Sequence, residues 1–191
     1  CIKHPEKKRN APAELFTTDA DELLNDPEIN VVVELIDDAE AAWHIVSTSL
    51  GSGKAVVSAN KKMIAAHIAE LLKLQEENKT SFLYEAAVCG SIPVIRNLEE
   101  YYDNDMLNSV TGIINGSTNY ILTRMNEDGM AYGDALKLAQ ELGFAESDPT
   151  LDVQGTDAAN KLTIILNHAY GIISAPDDIL CKGITQLHPA D

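Results

Sequence analysis

The sequence predicts an α/β fold: a partial parallel sheet of the doubly wound kind, followed by an α+β substrate domain. Three observations carry this prediction. Short β-branched runs alternate with helix-like stretches through the first half, the texture changes near residue 85, and amphipathic helical patterns dominate the second half.

Residues 31–36, VVVELI, form a short β-branched run of the buried parallel-strand type. The next stretch places Ala42, Val46 and Leu50 at i, i+4 and i+8, a helical spacing that Gly51 ends. Residues 55–59, AVVSA, read as the second strand. Asn60 follows as a helix cap, because its side-chain oxygen accepts from an orphan N–H. That helix carries Ile64, Ile68, Leu71 and Leu72 on one face, and residues 82–86, FLYEA, make a third strand. A β-α-β-α-β rhythm of this kind closes with right-handed crossovers and is Rossmann-like. The half bearing the Gly-rich first turn is expected before residue 1, with residues 1–4 read as an early strand.

Further on, residues 106–115, MLNSVTGIIN, are expected as a longer strand, with helices over 117–126 and 132–142. The second of these sets Ala135, Leu138, Ala139 and Leu142 in register, and Gly143 terminates it. After an acidic stretch, a helix over 157–170 turns Leu162, Ile165, Leu166 and Ala169 to the core. The expected domains are therefore 1–84 and 85–191, and the tail from 171 shows no pattern.

Composition limits the function. At 45% hydrophobic, the 191 residues bury a real core. A net charge of −16 repels phosphate, which argues against nucleic-acid and anionic-membrane partners but not against a small anionic ligand met by a few local donors. The three cysteines are far apart and odd in number, which fits a reducing compartment such as the cytoplasm rather than a disulfide framework. No apolar run approaches the roughly 20 residues a membrane span needs, and no signal-peptide pattern is visible. The first residue is Cys rather than Met, as in a trimmed chain.

Five short stretches carry candidate chemistry. GSGK at 51–54 lacks the Ser or Thr of a phosphate loop and follows a helix, so it reads as a helix stop and turn. SANKK at 58–62 lies where a strand meets a helix; Lys61 there either reaches a ligand beyond the strand ends or is solvated. EAAVCGSIP at 85–93 either aims carbonyls at a hard cation, with Glu85 supplying charge, or is a plain turn. In NGSTNY at 115–120, Gly116, Ser117 and Thr118 suit a carboxylate or simply cap a helix. The fifth, ESDPTLDVQGTDAANK at 146–161, lacks both EF-hand spacing and the Cys or His of a zinc site. Its Asp157 and Lys161 share a helix face at i, i+4. They make either a surface salt bridge or, with Glu146 and Asp152, a site that grips an ammonium group and tunes a proton-donating lysine. Asp148, beside Pro149, reads as a turn residue.

VVVELI, SANKK, EAAVCGSIP, GIINGSTNYILTRM and LGFAESDPTLDVQGTDAANKL occur in this order and spacing, and together they closely resemble homoserine dehydrogenase from about residue 31 to residue 171. The opening CIKHPEKKR resembles the second strand of that family's cofactor domain. The resemblance implies interconversion of L-homoserine and L-aspartate 4-semialdehyde with NADP or NAD, on the route to threonine and methionine, in a homodimer. By motif position, Lys161 matches the proton donor and Lys61 the other active-site lysine, near cofactor and substrate. Glu146 and Asp157 match carboxylates that hold the substrate, and Asp152 an acid beside them; Gly116 and Ser117 match substrate contacts and Gly143 a cofactor-lining position. Glu85, Val88, Gly90 and Ile92 match a monovalent cation site, for sodium or potassium, built mostly of carbonyls.

Departures from the family pattern set the competing readings. The Gly-x-Gly-x-x-Gly turn is absent, Asp37 and Asp38 stand where the family has Gly-Gly, and Ser91 stands where Gly is common. The C-terminal segment that returns to the cofactor domain is not recognised either, so the 191 residues alone are expected to bind NAD(P) poorly or not at all. One alternative is a non-catalytic fragment or degenerate paralogue that keeps the dimer-forming domain; another is a related NAD(P)-dependent oxidoreductase for a different small substrate. Arg9 would suit the 2′-phosphate of NADP, but Lys7 and Lys8 crowd it, and the choice between NAD and NADP stays open.

Overall fold

The computed structural model describes residues 1–2, 4–104 and 106–191. Its helices and strands run, in chain order, α1 (Ala20–Leu24), β1 (Val31–Glu34), α2 (Ala39–Gly51), β2 (Ala55–Ser58), α3 (Lys61–Asn78), β3 (Phe82–Leu83), α4 (Glu85–Val88), α5 (Val94–Tyr101), α6 (Gly116–Asp128), α7 (Tyr132–Glu141), α8 (Thr150–Val153) and α9 (Thr156–Tyr170). The chain divides into two compact units, one of Cys1–Met63 with Ala69–Tyr84 and one of Ile64–Ile68 with Glu85–Asp191.

The first unit is built on a parallel three-stranded sheet of order β1-β2-β3, as the alternating β-branched and helical runs predict. Its register sets Glu34 beside Ser58. Val56 and Phe82 are buried, with Ala42, Val46 and Leu50 of α2 and Leu71 of α3. Val31, Val33 and Leu83 point the other way and are exposed. The helices start where the residues dictate. The Asp38 carboxylate caps α2 by accepting from Ala41 N at 2.8 Å. The Asn60 side chain caps α3 by accepting from Met63 N at 2.9 Å. GSGK is a turn: Gly53 takes a left-handed φ of 79° that Gly adopts without strain. Lys54 is buried there and donates to the carbonyls of Asp26 and, at 2.7 Å, Ile29.

The second unit is helical among the described residues. Ile121 and Met125 of α6 pack with Ala135 and Ala139 of α7, and with Ala145 and Val153. After α7 comes Gly143 at φ 78°; its N–H bonds Gln140 O at 3.1 Å and Phe144 N bonds Ala139 O at 2.8 Å, the paired bonds of a Schellman stop.

Five expectations change. The strand expected over 82–86 is only Phe82–Leu83, because Glu85 already begins α4 and its side chain serves the next helix. No strand forms over 106–115. A strand needs a ladder neighbour, and the described ladders all lie between Val31 and Leu83; Met106 and Ile113 are exposed. In α9 the buried stripe runs through Ala159, Asn160, Thr163 and Ile164 with Ile165, about one position away from the expected Leu162 and Leu166, which are half-buried. Leu142 is exposed because the Schellman turn carries it off the helix face, and Leu136 packs on the core instead. The early strand expected over 1–4 is not assigned at residues 1, 2 or 4, and Lys3 lies outside the described residues.

Candidate active site

In the second unit, one asparagine gathers the charged groups. Asn115 precedes α6, and its side-chain oxygen accepts from Thr118 N at 2.8 Å and from the Thr118 hydroxyl at 2.9 Å. That leaves the amide N–H groups facing away from the helix, and Nδ2 donates to Asp152 Oδ1 at 2.7 Å and Asp157 Oδ2 at 3.0 Å. The same Asp157 oxygen pairs with Lys161 Nζ at 2.9 Å, one helical turn on. Lys161 Nζ also donates to Ile114 O at 2.7 Å. The helix start makes this possible: Gly155 holds a φ of 88° just before α9, so Asp157 enters in the first turn with its side chain only 9% exposed.

Two carboxylates and an ammonium therefore share one partly buried network. The Coulomb attraction between Asp157 and Lys161 acts where water screens it little, unlike in an exposed i, i+4 pair. An ammonium group has three donors; among the described residues Asp157 and Ile114 take two, and one N–H is left to reach a ligand.

The other expected site residues fall around this network to different degrees. Glu146 is exposed; its carbonyl accepts from Gln140 Nε2 at 2.9 Å, and its side chain stands outside the network. Gly116 is the first residue of α6, and the Ser117 hydroxyl donates to Phe144 O at 2.7 Å, which ties the helix start to the turn after Gly143. Phe144 stacks on Tyr120 with ring centres 4.5 Å apart. Asp148 keeps to its turn, accepting from the Thr150 hydroxyl at 2.6 Å and from Thr150 N at 3.1 Å; these bonds, the hydroxyl's first, lower its pKa from 3.8.

The stretch expected as a cation site is not an open turn. Residues 85–88 are helical, and both Glu85 oxygens cap α5, accepting from Ile95 N at 2.8 Å and Arg96 N at 3.0 Å. The Glu85 carbonyl accepts from Cys89 N at 3.3 Å and that of Ile92 from Val94 N at 2.9 Å, so each keeps a second lone pair. Val88 is buried, and Gly90 is exposed with open space where a Cβ would stand. Near α9's other end, His168 Nδ1 lies 2.8 Å from Glu99 Oε1. Burial lowers its pKa from 6.5, outweighing the opposing pull of Glu99 and Glu85.

In the first unit, Lys61 is the first residue of α3, at the carboxyl end of β2, and is half-buried. Asp38 is taken up by the α2 cap, and Asp37 beside it is exposed. Sequence reasoning missed Asn115, the Ile114 carbonyl and the buried Glu34. Asn115 carried a signal, since an Asn before a helix has two amide protons to spare once its oxygen caps. The carbonyl carried none.

The homoserine dehydrogenase family model matches residues 93–191, and the model of the homoserine dehydrogenase NAD binding domain matches residues 2–85. The chain belongs to the homoserine dehydrogenase family. It is 41% identical to the homoserine dehydrogenase of Bacillus subtilis over 100% of this chain and 44% of that protein. The crystal structure of a homoserine dehydrogenase from Thiobacillus denitrificans superposes with a TM-score of 0.85 at 42% identity, over 92% of this chain and 41% of that one. A hyperthermophilic archaeal homoserine dehydrogenase in complex with NADPH superposes at 0.76 and 30% identity, over 92% of this chain and 54% of that one. The chain thus spans less than half the length of its Bacillus subtilis relative. Among the described residues, no helix is long and apolar enough to cross a membrane.

Proposed function

We propose that the protein containing this chain is a homoserine dehydrogenase that interconverts L-homoserine and L-aspartate 4-semialdehyde with NADP or NAD, on the route to threonine and methionine. The observation that carries the reading is Lys161: an ammonium held by Asp157 and Ile114 O with one donor left over. In the reducing direction that N–H protonates the carbonyl oxygen of the semialdehyde; in the oxidising direction the neutral amine takes the hydroxyl proton of homoserine. Asp157 stabilises the charged lysine and, with Asp152 and Glu146, attracts the substrate ammonium. The N–H groups of Gly116 and Ser117 at the start of α6 suit the substrate carboxylate.

A dinucleotide suits the carboxyl end of the parallel sheet, where Lys61 supplies a cation and Asp38 is engaged in the α2 cap. Gly143 is read as lining the cofactor. The bound nicotinamide would exchange a hydride with the carbonyl carbon. The carbonyls of Glu85, Val88, Gly90 and Ile92 are read as holding sodium or potassium, the Glu85 side chain being spent on α5. A homodimer, a cytoplasmic setting and domains divided at residues 84 and 85 belong to the same proposal.

Lys161→Ala in the intact protein tests it. The rate with homoserine and NADP should fall by roughly 10²–10⁴ with the fold unchanged by circular dichroism. A variant of near-normal rate would remove Lys161 from the chemistry. An intact protein with no such rate would leave the non-catalytic paralogue as the reading.

A further inference from the structure

We propose that Glu34 is a positioning residue for Lys61. Glu34 is 1% exposed, at the end of β1. A buried carboxylate is costly unless its oxygens are satisfied, and here both are. Oε1 accepts from Ile36 N at 2.6 Å, and Oε2 accepts from the Ser58 hydroxyl across the β1–β2 register. The Ser58 oxygen in turn accepts from Asn60 N at 3.2 Å. Asn60 then donates from Nδ2 to Ile36 O at 3.1 Å and accepts from Met63 N with Oδ1. The bonds close a ring through Glu34, Ser58, Asn60 and Ile36.

Lys61 follows Asn60 directly, and its own N–H bonds Ala59 O at 3.0 Å. The ring therefore fixes the residues on which the first turn of α3 is built, and with them the origin of the Lys61 side chain. A plain strand end needs no carboxylate. A valine in place of Glu34 would extend the β-branched run, bury more apolar surface and avoid the desolvation of an acid. The acid instead locks two strand ends to a helix start within bonds of fixed direction, which is how a side chain is held to productive geometry.

The inference rests on the reading of Lys61 as an active-site residue, so the experiment separates the two. In the intact protein, Glu34→Gln, Ser58→Ala, Ser58→Thr and Lys61→Ala are assayed for turnover. The first three and the wild type are also labelled with an amine-reactive reagent, and the ratio of Lys61 to the exposed neighbour Lys62 is read by mass spectrometry. Glu34→Gln removes one acceptor from the ring at constant volume, and Ser58→Ala removes the link. Both should change the labelling ratio by about threefold or more and lower kcat by about tenfold with a smaller change in KM, as loosening a positioned group does. Ser58→Thr keeps the hydroxyl and should restore both readouts. An unchanged ratio in Glu34→Gln and Ser58→Ala, or a Ser58→Thr variant no better than Ser58→Ala, overturns the positioning role. A normal rate in Lys61→Ala overturns the active-site reading instead, and leaves the labelling ratio to judge the positioning alone.

Discussion

Asn60 and Asn115 each open a helix with the same cap, an amide oxygen accepting from the backbone N–H three residues on. They differ in what the remaining amide protons meet. At Asn60 they meet the Ile36 carbonyl, a neutral acceptor that binds a strand end to a helix start. At Asn115 they meet the carboxylates of Asp152 and Asp157, one of which also holds Lys161. One local motif thus serves as a fastener in the first unit and as an organiser of charge in the second. A cap defines a helix end, but its unused donors define what that end is for.

Substitution by Asp sharpens this contrast most, because Asp keeps the capping oxygen but replaces the amide donors by a charged acceptor. Asn115→Asp brings a third carboxylate into hydrogen-bonding range of two others and deletes two bonds to charged groups. We expect a loss of about 3 kcal/mol in stability, read by urea denaturation, and a fall in turnover of at least about tenfold in the intact protein. Asn60→Asp faces a single carbonyl and should cost about 1 kcal/mol. Equal costs at the two positions would break the comparison.

Removing the cap is the next test. Asn60→Ala loses the bond to Met63 N and the one to Ile36 O, for about 1–2 kcal/mol. Asn115→Ala loses its cap as well, and also leaves Asp152 and Asp157 without their shared donor. It should therefore cost more stability than Asn60→Ala, whereas an equal or smaller loss would make Asn115 a fastener like Asn60.

The same two junctions show what a sequence discloses. The Asn60 cap was legible, since Asn before an apolar-periodic run is a local signal, whereas at the second junction capping was read from Gly116, Ser117 and Thr118 and Asn115 was passed over. The parallel strands were legible because β-branched runs repeat between helices, and the Asp157–Lys161 pair because i, i+4 is fixed by helical geometry. Glu34 passed as one residue of a β-branched run, because its partner Ser58 is set by strand register, which no single run encodes. The Glu85 carboxylate looked like charge for a cation, but it goes to a helix start ten residues on. Residues 106–115 carried a strand-like pattern without a neighbour to complete it. In each case the chain displayed its donors and acceptors, and only the fold chose their partners.

His168 extends the contrast to the opposite end of α9, and its effect is the smallest. Lys161 near the helix start lies 2.9 Å from a carboxylate, whereas at His168 burial outweighs the nearby Glu99 and Glu85 and lowers the pKa from 6.5. The sign follows from proton counting. Between the lowered folded pKa and 6.5 the unfolded chain binds more protons than the folded one, so stability rises with pH across that interval. His168's contribution is fully present above 6.5 and is lost as pH falls through the folded pKa. Asp148, also lowered, acts only in a more acidic window, below 3.8. Replacing His168 by Gln, which keeps an amide to bond Glu99 but cannot titrate, should flatten the fall in thermal midpoint between pH 7 and pH 5 while leaving the midpoint at pH 8 nearly unchanged. Parallel curves for the wild type and His168→Gln would mean that the Glu99 pair fully offsets burial at this histidine, and a wild type that gains on the variant as pH falls would mean that the pair outweighs burial.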